Sequence, residues 1–389
     1  MYLKKYAANY VSVLLNNEYT MLRKVSFSNY KAFGGEEIDL PFRLKNSGAK
    51  LGNEYRDVIF GKQAVNPIKL GVTYNDNLEI EVEIALESET QLPFISKWSY
   101  KDNGKKILEY TGTAEKFKYK GLDSKTYTCK FSGLKLKEVI DDRSINLLPK
   151  LDIFNPKLNV RYVGPFRKMP PRVLPLTGFR KFRSVGVRGQ NVYYILGDSK
   201  RRGTPLIGIV DELFKKYFDG WGFDMDNKNR PFYEPVIKKM IGLEELKINL
   251  ADVGQGLSQI LPIVVQSNLD VSNSITVFEQ PELHLHPAAH GDVAELIADS
   301  AKGHQDSVFL IETHSENFIH RIRKLIVDST HELNSNDVAI YWVEVNDKSS
   351  TLEQITINND GELSSWPEGV FEEGLSDVLE INKLRNAKN

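Results

Sequence analysis

Three short motifs between residues 249 and 317 have the residue types and spacing needed to bind a phosphate group. They are, in chain order, Gly254-Gln255-Gly256-Leu257-Ser258-Gln259, Glu279-Gln280-Pro281-Glu282 and Thr313-His314-Ser315. The first motif opens an apolar helix, and each of the other two follows a short apolar strand. Because the carboxyl ends of parallel strands meet at one edge of a sheet, this arrangement predicts a nucleotide-binding α/β core.

The first motif has the chemistry of an anion site. Its two glycines let the backbone come close to a phosphate, and the N-terminus of the following helix favours a negative charge. A Gly-x-Gly pair also occurs at helix starts that bind nothing, so this motif alone does not identify a nucleotide site. The two strand-end motifs that follow it favour the functional interpretation.

In this order the motifs resemble the signature motif, the Walker B strand and the switch-histidine strand of ABC-type ATPases. The similarity is narrower to the soluble, non-transporter branch that contains SMC, RecF and OLD-type proteins. Within that branch, residues 279–287 resemble a bacterial AAA family in which Glu-Gln-Pro-Glu is followed by Leu-His-Leu-His-Pro. Further segments that fit this family are Tyr162-Val-Gly-Pro-Phe-Arg167, Val185-Gly-x-x-Gly189 and Trp366-Pro-Glu-Gly-Val-Phe371.

The resemblance covers most of the chain from Met21 onward and implies a P-loop NTPase fold of the α/β class. The expected ABC-ATPase head has a mixed twisted sheet with flanking helices, a β-rich N-terminal part and a helical signature lobe. ATP and Mg²⁺ are the implied cofactors, bound at a composite site across a two-fold dimer. The residues implied to bind the γ-phosphate of ATP held by the opposite subunit are Gly254, Gln255, Gly256, Ser258 and Gln259.

The resemblance also implies roles for residues at the two strand ends. Glu279 stands at the Walker B position, which holds Mg²⁺ through water. Gln280 stands where most ABC ATPases have a catalytic glutamate, and His314 stands at the switch-histidine position that contacts the γ-phosphate. Because glutamine cannot accept a proton, we expect slow hydrolysis and long-lived nucleotide-bound dimers.

One motif of the family is missing. The Walker A pattern Gly-x-x-x-x-Gly-Lys-Ser/Thr, whose backbone N–H groups surround the phosphates, occurs nowhere in the 389 residues. The family pattern is interrupted between Pro41 and Gly52. Either the protein has lost the loop and is a pseudo-ATPase scaffold, or the sequence lacks a segment there. We favour the second interpretation because the other nucleotide-site motifs are retained together.

Bulk properties indicate a cytoplasmic globular protein. Apolar residues make up 41% of the chain, the net charge is −1, and the single cysteine excludes an internal disulfide framework. No apolar run approaches the ~20 residues that span a bilayer, so membrane association is not expected. Four segments are predicted: a helical N-terminal extension (1–20), a β-rich, mostly antiparallel part (21–160), a basic loop with a helical signature lobe (161–265) and the Walker B and switch-histidine core with its tail (266–389).

Residues 161–202 are rich in Lys and Arg and contain one acidic residue, Asp198. One interpretation is an electropositive surface for nucleic acid, and the interleaved aromatic residues favour single strands. The other is neutralisation of this charge by the acidic tail at residues 353–380. The basic residues that would contact nucleic acid are Arg161, Arg167, Lys168, Arg172, Arg180, Lys181, Arg183 and Arg188.

The function predicted from these observations is an ATPase subunit that forms a homodimer or higher oligomer and switches an effector protein. The resemblance suggests a nuclease or toxin as that effector, in bacterial anti-phage defence or DNA surveillance. The alternatives are a scaffold that does not use nucleotide and a nucleic-acid-binding module. A zinc site at His284, His286 and His290 is a further alternative, although no cysteine or additional carboxylate is placed to complete it.

Overall fold

The computed structural model describes most of the chain from residue 67 onward and two strands before it. The described ranges are 10–15, 22–28, 67–74, 77–87, 93–113, 117–132, 135–148, 159–175, 182–227, 232–269, 274–304, 306–345, 350–366, 380–381 and 383–385. The chain divides into two compact units. One unit is Thr20–Lys157, and the other combines Met1–Tyr19 with Leu158–Asn389.

Eighteen strands and five α-helices are found in these ranges. The strands are β1 (Tyr10–Leu15), β2 (Leu22–Ser28), β3 (Ile68–Tyr74), β4 (Leu78–Leu86), β5 (Pro93–Asp102), β6 (Lys105–Gly112), β7 (Lys118–Gly121), β8 (Thr126–Ser132), β9 (Lys135–Ile140), β10 (Asn159–Val163), β11 (Leu174–Pro175), β12 (Gly222–Asp226), β13 (Phe232–Ile241), β14 (Glu244–Asn249), β15 (Ser274–Glu279), β16 (Val308–Thr313), β17 (Val338–Val345) and β18 (Ser350–Ile355). The helices are α1 (Val192–Arg202), α2 (Leu206–Tyr217), α3 (Gln255–Ser267), α4 (Pro287–Gly303) and α5 (Glu316–Val327).

The Thr20–Lys157 unit contains one antiparallel sheet in which strands β2 to β9 follow each other in chain order. The antiparallel sheet predicted from the alternating runs is therefore confirmed. Apolar residues such as Ile84, Trp98 and Cys129 form its buried core. Lysines on the strands face glutamates across the ladder, as in the 2.7 Å contact of Lys130 with Glu138, which explains how so basic a sequence forms a stable sheet face.

The second unit is built on a six-stranded sheet in the order β10-β15-β16-β1-β17-β18. Strands β10, β15 and β16 are parallel, and the remaining neighbours are antiparallel. Side chains alternate between the two faces of each strand. The face that carries Val163, Phe278 and Ile311 is fully buried in a core shared with helix residues such as Ile260 and Leu296.

The prediction of a helical extension over residues 1–20 is wrong for the part of that segment that the structure describes. Residues Tyr10–Leu15 form β1, which lies in the interior of the sheet between β16 and β17. The segment Tyr-Val-Ser-Val-Leu-Leu is short and rich in β-branched and aromatic residues, which is typical of a buried strand. The local sequence, however, carries no information about pairing with strands that are distant along the chain.

Within the predicted helical lobe, the apolar spacing of residues 204–223 and 233–247 predicts two helices, and only the first is found. Helix α2 is present, but β13 and β14 form a hairpin where a second helix was expected. Pro235 removes a backbone donor, and Gly242 adopts a φ of 62° at the turn. Both residues favour a hairpin over a helix. Across the described ranges, no helix combines the length and the apolar character needed to cross a membrane.

Candidate functional site

The carboxyl ends of β15 and β16 bring two glutamates together. Glu279 and Glu312 are register partners on these parallel strands. From the neighbouring strand β10, the Tyr162 hydroxyl donates a 2.5 Å hydrogen bond to Oε2 of Glu279. Burial, and then this contact with Glu279, raise the pKa of Tyr162 far above its usual range. The phenol therefore stays protonated and holds the Glu279 carboxylate in one orientation.

The turn that follows β15 is fixed by its backbone. Gln280 adopts a φ of 43°, in the left-handed region that non-glycine residues rarely enter. Its N–H donates to the carbonyl of Glu312 at 2.8 Å, and its carbonyl accepts from Leu283 N–H at 3.1 Å. The strained conformation costs about 1 kcal/mol and is stabilised by these bonds. It ends the strand and turns the chain toward Glu282.

Arg167 connects this turn to helix α3 through hydrogen bonds. Its guanidinium is buried and donates at 2.8 and 3.1 Å to the carbonyls of Gln280 and Glu279. Longer contacts of 3.4 Å reach the carbonyls of Pro281 and Gln259. Burial lowers the pKa of Arg167 to about 10, so the group remains charged at neutral pH and donates to these four carbonyls through its two terminal nitrogens.

Glu282 connects the turn to the switch-histidine motif. The side chain is 5% exposed. Its Oε1 accepts a 2.6 Å bond from the Thr313 hydroxyl and a 3.1 Å bond from the His314 N–H. The second oxygen, Oε2, is buried with no hydrogen-bond partner among the described residues. His314 itself is exposed, so its backbone is held while its ring faces solvent.

Glu312 is a carboxyl group at this edge whose pKa is clearly raised. Burial, and then repulsion by Glu279 and Glu282, raise its pKa to about 7. Three carboxylates therefore share one sheet edge, and Glu312 releases its proton only near neutral pH. The sequence analysis identified Glu279 but missed Glu312 and Glu282 as charged members of the same group. The signal in the sequence that could have indicated Glu312 is its position at the start of Glu312-Thr-His-Ser-Glu316, two residues before the switch histidine.

The first motif forms the start of α3, with Gly254 at the N-cap position and no side-chain cap. Gly254 and Gln255 are exposed. Ser258 is only 1% exposed, and its hydroxyl donates to the carbonyl of Gln255 at 2.8 Å. Gln259 is also buried, and its amide donates to the carbonyl of Arg167 at 3.4 Å. Within this motif, the polar groups that are exposed at the start of the helix are therefore those of Gly254 and Gln255.

Gly256 places this helix start directly against the loop after β15. A Cβ atom at this position would lie 3.1 Å from Cδ2 of Leu285 and 3.3 Å from the carbonyl oxygen of His284. Only glycine allows this approach without a shift of the loop. The structure thus brings the first two motifs into contact, and Glu282 links the third to them.

Several residues of the basic segment are not on the surface. Arg161 and Arg167 are both buried, which corrects their assignment to a nucleic-acid surface. The terminal nitrogens of Arg167 instead donate to backbone carbonyls, while its Nε is buried with no hydrogen-bond partner among the described residues. Arg172 is exposed and forms an ion pair with Asp252, including a 3.0 Å hydrogen bond. Of the other residues assigned to the nucleic-acid surface, Lys168, Arg183 and Arg188 are exposed, while Arg180 and Lys181 lie outside the described residues.

The histidines and carboxylates of this region are the remaining candidates for metal ligands. Among the described side chains, no group of three or more His, Cys, Asp or Glu residues converges as a metal cage. His286 caps α4 and His290 contacts the Ser315 hydroxyl at 2.8 Å. The Glu279 carboxylate fits a hydrated Mg²⁺ held mainly by substrate phosphates, which is the usual mode for this ion. Residues 41–52, where the Walker A segment would lie, are outside the described residues.

Two family models match parts of the chain. Residues 193–319 match the family model of an AAA ATPase domain, and residues 333–381 match that of a protein family of unknown function, DUF3696. The first match includes the candidate residues of all three motifs. No curated protein matches the chain.

Solved structures that resemble the chain include SMC head domains. An SMC head bound to the C-terminal winged-helix domain of ScpA is 14% identical, with 86% of this chain and 97% of the other covered and a TM-score of 0.44. The SMC head domain of Thermotoga maritima is 14% identical, with 86% and 99% covered and a TM-score of 0.37. An SMC ATPase studied for ATP-driven dimerization is 17% identical, with 48% and 96% covered and a TM-score of 0.31.

Proposed function

We propose that the chain is an SMC-like ATPase head that binds ATP with Mg²⁺, closes as a dimer and hydrolyses the nucleotide slowly. The observation that carries the proposal is the sheet edge at which Glu279, Gln280, Glu282 and His314 lie at or just beyond the carboxyl ends of two adjacent parallel strands. The match of residues 193–319 to an AAA ATPase domain supports the same activity. Binding requires a phosphate loop, and because the 389 residues contain no Walker A pattern, we place this loop in a segment that the sequence lacks between Pro41 and Gly52.

Each residue of this edge has a distinct role in the proposal. Glu279, oriented by Tyr162, would hold Mg²⁺, and the ion would neutralise charge on the phosphates. Gln280 orients a water molecule through its amide but cannot take its proton. His314 is positioned through its backbone by Glu282 and presents its ring to the γ-phosphate. Absence of a carboxylate at position 280 is the reason for slow turnover.

In the closed dimer, the exposed start of α3 faces nucleotide held by the opposite subunit. Gly254 and Gln255 are the groups available there, because the Ser258 hydroxyl is already bound within its own helix. Closure and reopening of the heads would transmit the nucleotide state to an effector protein, a nuclease or toxin. This last step rests on resemblance to related bacterial ATPases alone.

The test is ATP binding by the full chain, measured calorimetrically with and without Mg²⁺. Glu279→Gln is expected to weaken the Mg²⁺-dependent part of binding by tenfold or more, because a neutral amide is a poor ligand for this ion. Glu332→Gln is the control, since Glu332 is 87% exposed and remote in sequence from the three motifs. Wild-type protein that binds no ATP under either condition would establish the scaffold alternative.

A second candidate function is binding of single-stranded nucleic acid, and one surface favours it. Phe166 is 73% exposed, and the loop that carries it is hydrogen-bonded to the loop of Arg188 through Lys168 N–H and the Arg188 carbonyl at 2.8 Å. An exposed ring on the same surface loops as two exposed basic residues suits a stacked base beside a phosphate. Lys168→Ala with Arg188→Ala should lower affinity and flatten its dependence on salt, whereas an unchanged salt slope would exclude this surface.

A further inference from the structure

The hairpin formed by β13 and β14 exposes an unusual number of apolar side chains at its tip. Leu243 in the two-residue turn is fully exposed, and Met240, Ile241 and Leu246 are 61%, 59% and 40% exposed. Turn residue Gly242 has a φ of 62°, which suits a tight two-residue hairpin and makes the tip rigid. Contiguous exposed apolar groups of this kind mark interaction surfaces.

Strand β14 also has a free edge. It pairs with β13, and no other described strand pairs with it. In a two-residue hairpin the closing pair, here Ile241 and Glu244, exchanges both backbone hydrogen bonds, and bonded pairs then alternate along the ladder. Residues 244, 246 and 248 therefore bond inward to β13. The backbone groups of Glu245 and Lys247 point outward.

We propose that β14 pairs antiparallel with β14 of a second copy of this chain, with Leu246 opposite Leu246 and Glu245 opposite Lys247 of the second copy. The sheets of the two copies would become continuous across this edge. Such an interface needs no nucleotide and is separate from the ATP-dependent closure proposed above.

Hydrogen-bond geometry permits few registers for this pairing. Outward-pointing residues must face outward-pointing residues, so the two-fold axis passes through a residue and not between residues. An axis at Glu245 would place Glu245 opposite itself, and an axis at Lys247 would place two lysines together. Like charges directly opposite destabilise a strand pair. Only the axis at Leu246 gives opposite charges, and it does so twice.

The side chains support the same register. With the axis at Leu246, its pair is the non-bonded type, in which side chains approach most closely. Ile241 on β13, opposite Glu244, lies on the same face of the hairpin two pairs along the ladder and adds to the apolar surface there. Glu245 and Lys247 already lie 3.4 Å apart within one chain, and Lys247 also contacts Asp226 at 3.3 Å. Both are partly exposed, so their pairing across the interface sets register more than affinity.

The expected complex is weak. Two Glu245–Lys247 pairs supply four backbone hydrogen bonds, and a few apolar side chains per chain become buried. The surface area buried by this contact is therefore well below the roughly 1,600 Å² of a standard stable interface. A dissociation constant in about the micromolar range or weaker is therefore expected.

Sedimentation velocity of the full chain without nucleotide, over a concentration series up to about 100 μM, tests the proposal. Glu245→Lys places lysines at both outward positions, and Lys247→Glu places glutamates there. Each variant alone should dissociate at least tenfold more readily than wild type. An equimolar mixture should associate as wild type does, because opposite charges face each other again.

Glu244→Lys is the matched control, since it makes the same charge change at an inward-bonded position and should leave association unchanged. Recovery in the mixture also shows that both variants are folded. Wild type that stays monomeric throughout the series would overturn the proposal. So would association that is unaffected by Glu245→Lys, or two variants that stay monomeric when mixed. None of these outcomes depends on ATP binding, so the result is independent of the proposed ATPase function.

Discussion

Replacing Arg167 by lysine is expected to loosen the turn after β15 and the start of helix α3 together. The guanidinium makes two hydrogen bonds of normal length, to Gln280 and Glu279, and two long ones, to Pro281 and Gln259. A hydrogen bond from a charged donor contributes about 1.5–3 kcal/mol. Lysine keeps the charge but cannot span the four carbonyls, so about 2 kcal/mol should be lost.

Arg167→Met removes the charge as well and should cost about 4 kcal/mol. It leaves carbonyl oxygens unpaired in the interior, and it takes a positive charge away from the buried carboxylate of Glu282. Both effects are expensive in a low-dielectric environment. Lys168→Met, one residue away on the surface, is the matched control and should change stability by less than about 0.5 kcal/mol.

Hydrogen exchange followed by mass spectrometry is the appropriate assay, because the two units of the chain need not unfold together. Peptides covering residues 255–267 and 279–290 should lose protection in Arg167→Lys, and peptides from the β4–β5 ladder provide an internal reference. Protection within about 0.5 kcal/mol of wild type in both regions would refute the role assigned to Arg167.

Two further predictions concern stability. In the folded protein the pKa of Glu312 is raised to about 7. The protonated side chain therefore makes its full contribution to stability below the pKa of the unfolded state, and this contribution is lost as pH rises through about 7. Glu312→Gln should therefore match wild type at about pH 4 or below, and be more stable at pH 8.5 by on the order of 1–2 kcal/mol, after allowance for partial exposure. Equal melting temperatures at pH 8.5 would contradict this. Gly189→Ala should cost about 2–4 kcal/mol in chemical denaturation, since φ is 66° and a Cβ would lie 2.5 Å from Cγ of Pro262. Gly203→Ala, with a φ of 68° and no atom within 4 Å, should cost only about 1 kcal/mol, and an equal cost for both would show that the clash is absent.

The sequence was sufficient to predict the strands and the helix that carry the three motifs. β15 and β16 are short apolar runs that end in polar residues, and α3 is an apolar run that follows glycines. Such local patterns are strong because each element buries a complete face. The parallel pairing that places Glu279 beside Glu312 follows from the same order of elements.

Features that depend on distant contacts could not be predicted in this way. The central place of β1 in the sheet results from pairing with strands that lie about 300 residues away in sequence. Charge counts identified Arg167 as basic but not as buried. Its carbonyl partners come from two other segments of the chain. The β13–β14 hairpin was missed for a different reason, because apolar spacing outweighed the local signals of Pro235 and Gly242.

The contacts described above connect the start of α3 and the turn after β15 into one rigid unit. Gly256 packs directly on Leu285, and Gln259 and Arg167 bond to each other in both directions. Arg167 also holds the carbonyl of Gln280, while Glu282 holds the backbone of His314. A ligand that shifts the turn must therefore either move the helix or break buried hydrogen bonds, at about 1–3 kcal/mol each. Because that cost is larger than thermal energy, nucleotide state sensed at the sheet edge would reach the exposed helix start as a movement of the whole rigid unit.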